Sequence, residues 1–147
     1  MTDPAIDKPA RRTAVTRLVT IVDIDDRGVA PSPDDPREMS LSTVHLAVLD
    51  DGRRLTLLDD RGWGLHGPPD IWHRTSVEEL EGEARMVVGP DEPFGSRSRA
   101  DMEADHWAHL SGVLRQQDVR IDATELSRLR HDVELSERLR RRRISST

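Results

Sequence analysis

Residues 98–117, S-R-A-D-M-E-A-D-H-W-A-H-L-S-G-V-L-R-Q-Q, form the longest segment of this chain with a clear helical period. Met102, His106, Leu110, Val113, Leu114 and Gln117 recur at spacings of three and four, with Trp107 at the edge of that face. Ser98 followed by Asp101 has the form of a capping box, which satisfies the free N–H groups that open a helix. A helix of this length spans roughly 28 Å, enough to cross a small domain. It therefore needs a partner layer, and the first 90 residues supply one.

Residues 15–24, V-T-R-L-V-T-I-V-D-I, are rich in β-branched side chains and read as a buried strand. Residues 39–49, M-S-L-S-T-V-H-L-A-V-L, alternate as a second strand. Asp50, Asp51 and Gly52 form a tight turn into a return strand at 55–58, which D-D-R-G at 59–62 ends. The same tetrapeptide at 25–28 closes the first strand, a recurrence that turn chemistry explains without duplication. The Pro-rich residues 28–38 read as a mobile loop. Residues 63–74, W-G-L-H-G-P-P-D-I-W-H-R, read as a second loop that carries Trp63 and Trp72. Ser76 and Glu79 then cap a short helix ending near Gly82, and residues 84–88, A-R-M-V-V, read as one more strand. Past the long helix, Asp122 caps a helix over 123–130, and a last short helix begins near Ser136.

Strands first and helices second is the α+β pattern. The expectation is a small antiparallel sheet in the first 90 or so residues, then a long helix and one or two short C-terminal ones. One domain is expected over residues 14–143, with a β-rich part at 14–90 and a helical part at 97–143. Residues 1–13 and 144–147 read as tails, the first of them disordered.

Composition narrows the function classes. The chain has 147 residues, 35% of them hydrophobic, no cysteine and no tyrosine. Disulfides, cysteine nucleophiles and thiolate metal sites are excluded. No stretch reads as a signal peptide or a membrane span, so the expected location is cytoplasmic. The net charge is −6 and uneven: the balance is −9 over residues 1–110 and +3 over 111–147. Residues 138–143, R-L-R-R-R-R, concentrate the positive end. Net acidity and few aromatic residues for base stacking argue against nucleic acid as the main partner.

Catalytic motifs fail in context. Residues 62–67 match G-x-G-x-x-G, but Pro68 and Pro69 follow at once, where a phosphate-binding helix would have to open. No nucleophile elbow occurs. No catalytic residue and no resident cofactor is assigned.

Two constellations remain. Glu103, His106 and His109 form E-x-x-H-x-x-H, which brings carboxylate and imidazole to adjoining positions of one helix. This is the candidate site for a divalent transition metal, and the basis of an alternative reading as a metal-binding protein or small metal-dependent enzyme. Trp63 and Trp72, with Arg138, Arg140, Arg141, Arg142 and Arg143, are the candidate interaction residues. Each Trp reads equally as an interface anchor or as core cover. The functional expectation is a small acidic protein that acts without catalysis, by binding another protein, with self-association also open.

Overall fold

A computed structural model describes residues 14–25 and 37–144. Three strands form an antiparallel meander: β1 Val15–Ile24, β2 Glu38–Leu49 and β3 Arg54–His66. Helices follow: α1 Ile71–Arg74, α2 Val77–Val87, α3 Arg99–Gln116 and α4 Ala123–Ser127. The chain then returns to the sheet as β4, His131–Leu135, parallel to β1, and ends in α5, Glu137–Ile144. The strand order is β3-β2-β1-β4. The α+β expectation holds, with a fourth strand added after the helices.

β1 forms where β-branched residues concentrate, and β2 where inward and outward residues alternate over its first half. On β1 and β2 one face carries Leu18, Thr20 and Val22 beside Met39, Leu41, Thr43, His45, Ala47 and Leu49, all buried. Two clusters of core side chains share that face. At one end Leu18, Ala47, Leu49 and Leu57 meet Leu110 and Leu114 of α3 and Leu126 of α4. At the other, Val22, Met39 and Leu41 meet Ile71 and Trp72 of α1, Leu80 and Ala84 of α2 and Leu139 of α5. Each large aliphatic side chain so buried contributes about 1.5–3 kcal/mol. Thr20 and His45 lie between the two clusters.

The long helix begins as expected: Ser98 Oγ accepts from the Asp101 N–H, and the Asp101 carboxylate accepts from the Ser98 N–H. Met102, Leu110, Ser111 and Leu114 are its buried residues. The same reciprocal cap opens α2 at Ser76 and Glu79.

Four local expectations are corrected. The return strand does not stop at 58. It runs on through Asp59, Asp60, Arg61 and Gly62, and continues through Trp63 to His66, the first third of the stretch expected as a loop. Bulges beside His45 absorb the irregularity. Gly62 serves close packing here rather than a turn, because a side-chain carbon on it would collide with the Leu41 carbonyl oxygen. Residues 84–88 are helical up to Val87, not a strand, because Leu80, Ala84 and Val88 bury at helical spacing and tertiary packing overrides local β propensity. The helix expected over 123–130 is one short turn, Ala123–Ser127. The break expected past it is a strand: His131, Val133 and Leu135 alternate with Asp132 and Glu134. The tail at 1–13 and nearly all of the loop at 28–38 lie outside the described residues. Among the described residues, no helix is long and apolar enough to cross a membrane.

Candidate functional site

Two features rise above the rest of the molecule: a polar seam inside the sheet–helix interface and an open groove on the helical side.

The seam is built by register. Thr20 on β1 lies opposite His45 on β2, and β4 brings His131 beside Leu18. The Thr20 hydroxyl sits between two imidazoles, 2.9 Å from His45 Nδ1 and 2.7 Å from His131 Nε2. The two rings are 4.9 Å apart. His45 is 1% exposed. Burial, reinforced by the charge fields of His131, His106 and Arg61, pushes its pKa down to about 3. Burial first, then Arg85, holds His131 below the ordinary histidine range as well. Both rings are therefore neutral at pH 7. The hydroxyl can donate to one and accept from the other, which satisfies all three groups. Thr20 is fully buried, so no substrate reaches this hydroxyl in the closed structure. The seam is a structural bridge with titratable parts.

The groove lies between α2, the 88–98 connection, α3 and α4, and encloses about 820 Å³. Arg85 and Met86 line one side, Glu103, Ala104 and Trp107 another, and Thr124 and Ser127 a third. Pro90, Asp91, Glu92 and Arg99 complete it. Large apolar side chains are exposed in its lining and in the 88–98 connection. Met86 is 71% exposed, and Phe94, two residues past Glu92 in the chain, is 64% exposed. The lining carries three carboxylates and two arginines; Arg99 stands 3.8 Å from Glu92, and Arg85 donates to the His131 carbonyl at 3.2 Å.

The residues singled out in the sequence fall in different places. Glu103 is exposed and lines the groove, and His109 is exposed on α3. His106 is half-buried, with its ring edge-on to Trp107 at 5.0 Å and its Nε2 enclosed without a hydrogen-bond partner. Burial and the nearby Arg61 push its pKa down to about 4. Among the described residues, no group of three or more His, Asp or Glu side chains could hold a metal ion, so Glu103, His106 and His109 do not converge. Their i, i+3 spacing makes neighbours of successive members, but His106 turns inward while the other two stay in solvent.

Trp72 is 3% exposed and packs in the second core cluster, with the Arg142 guanidinium 4.8 Å above its ring. Trp63 is half-buried against the same cluster from β3. The arginine run is partly consumed within the fold. Arg138 donates to Asp23 at 2.9 Å and to the Ile24 carbonyl at 2.7 Å, and Arg143 donates to the Thr75 carbonyl at 2.6 Å. Arg140 and Arg141 are exposed.

Sequence reasoning missed the groove and the seam alike. An exposed Met86 was hidden by reading residues 84–88 as a strand, and the His45–His131 pair depends on a parallel pairing between distant segments. No family model, curated protein or solved structure matches this chain.

Proposed function

We propose that this protein acts without catalysis, by binding another protein through the groove between α2 and α3–α4. The observation that carries the reading is Met86, a large apolar side chain left in water in the lining of a groove with Trp107 in its wall, with Phe94 also exposed in the connection that leads from that lining to α3. Such a combination is the usual mark of an interaction site, since burying exposed apolar surface is what association gains. Met is suited to the role because its flexible thioether adapts to a partner's shape.

The favoured occupant is an amphipathic segment of another protein, apolar at its centre and basic on its flanks. Three carboxylates against two arginines line the groove, in a chain of net charge −6, so a basic segment is the complementary one. Trp107 and Met86 would receive its apolar side chains, while Asp91 and Glu103 would face its cations.

The test is affinity capture with the wild-type protein, followed by calorimetry on each purified candidate partner. A true partner loses binding at least tenfold with Met86→Asp or Phe94→Asp, both exposed positions where the fold tolerates a charge. Its affinity also falls as salt rises. A partner whose affinity is the same for wild type and both variants binds elsewhere, and would overturn this assignment.

A further inference from the structure

We propose that the His45–Thr20–His131 bridge is an acid-released latch: when both histidines take up protons, β4 and α5 open from β1 as one local unit while the β1–β2–β3 meander stays paired. The inference is independent of whether the groove binds a partner.

Thr20 has one hydroxyl hydrogen and stands within hydrogen-bond distance of both ring nitrogens. With neutral rings it donates to one and accepts from the other. A single imidazolium is still compatible, because the protonated ring can be the one that donates. Two imidazoliums are not: both nitrogens then point N–H groups at one oxygen, and the hydroxyl hydrogen loses its acceptor. Two like charges would also sit on rings 4.9 Å apart.

The surroundings give little relief: a backbone hydrogen bond with Val19 favours the charged form of His45, but burial outweighs it. His45 faces Arg61 from β3 and His106 from α3, both of which oppose a positive charge. His131 faces Arg85 from α2. The carboxylate beside it, Asp132, is already taken up by Arg17 at 3.0 Å and Arg130 at 2.8 Å. The strain is released only if a histidine reaches water.

Topology decides which one moves. His45 is on β2, paired on both sides, whereas His131 is on a five-residue strand at the edge of the sheet. Outside the backbone ladder, β4 and the start of α5 hold β1 through polar contacts: Arg17 with Asp132, Thr20 with His131, and Ser136 and Arg138 with Asp23. Opening removes Leu139 from its cluster, which keeps the latch shut at neutral pH. His45, held at about 3 in the closed state chiefly by burial, regains basicity to the extent that the departure of β4 admits water to it, so its protonation favours opening as pH falls. His131, shifted in the same direction, adds to this.

The test is amide hydrogen exchange by NMR on the full chain at pH 7.5 and 5.0, corrected for intrinsic exchange. The seam reporters are the Leu18 amide, bonded to the Arg130 carbonyl, and the Ser136 amide, bonded to the Val22 carbonyl. The meander reporters are the Asp25 amide, bonded to Ser40, and the Leu49 amide, bonded to Arg53. Seam opening should rise at least tenfold more than meander opening on acidification. In His131→Gln, and separately in His45→Gln, that excess should shrink several-fold. An equal rise at all four amides, no rise, or the same excess in both variants would overturn the latch. The wild-type comparison decides the matter even if one variant fails to fold.

Discussion

Substituting His45 by Gln should make the protein less sensitive to acid, by an amount the structure specifies. His45 is essentially inaccessible to water, and its pKa in the fold is about 3, against about 6.5 in an unfolded chain. A group depressed in this way favours the folded state above its unfolded pKa. That contribution is lost as pH falls, beginning near 6.5 and levelling off below the folded value. At pH 5 the loss is about 2 kcal/mol from this residue, taking 1.36 kcal/mol per pH unit over about 1.5 units. The carboxylates held below their usual range, Asp23 and Asp132 among them, titrate at lower pH and leave this window clear. His106 and His131 weaken the folded state in the same direction, but they do so in wild type and variant alike. The assay is urea unfolding of both proteins at pH 7.5 and 5.0. Gln can still reach the Thr20 hydroxyl, so the variant should fold, with lower stability at pH 7.5. It should lose about 2 kcal/mol less than wild type on acidification. Parallel losses would mean that His45 is hydrated in solution, and the description of the seam would be wrong.

Other substitutions probe the packing. Leu139→Ala should cost about 2–5 kcal/mol, because α5 closes the second core cluster; a loss under about 1 kcal/mol in chemical denaturation would show α5 to be an appendage. Trp72→Ala should cost about 3–5 kcal/mol, while Trp72→Phe should cost far less, since the ring is retained and a buried indole N–H that has no hydrogen-bond partner is removed. Gly82 and Gly62 should behave oppositely. Gly82→Ala should stabilise by about 0.5–1 kcal/mol, as the added methyl meets nothing within 4 Å on an exposed helix position. Gly62→Ala should destabilise by more than about 1 kcal/mol through its clash with the Leu41 carbonyl, read as a fall in Tm.

The elements with strong local signals were legible in the sequence. A concentration of β-branched residues marked β1 and alternation marked β2, and the Ser98–Asp101 and Ser76–Glu79 boxes set the starts of α3 and α2, because capping is a property of four adjacent residues. What was not legible depended on distant partners. Asp59, Asp60, Arg61 and Gly62 have the composition of a turn, yet the strand bulges through Asp59 and Asp60 and β2 is long enough to pair Arg61 and Gly62 beyond them. H-D-V-E-L at 131–135 does alternate, but five residues of mixed polarity become a strand only when β1 presents Thr20 and Arg17 to receive His131 and Asp132. The candidate site followed the same rule. The histidines that meet are His45 and His131, 86 positions apart, rather than the neighbours on α3 that spacing drew together. Exposure of Met86 could have been inferred only by reading α2 as a helix, which puts Leu80 and Ala84 inward and Met86 outward.

The most direct test of the groove as a protein-binding site is a photo-activated crosslinker in place of Met86, irradiated in native lysate beside a control with the same group in place of Arg53, an exposed position in the β2–β3 turn. The account predicts one discrete adduct, formed from position 86 alone and mapping to a basic amphipathic segment of the captured protein. Adducts that are the same from both positions, or none from position 86, would contradict it.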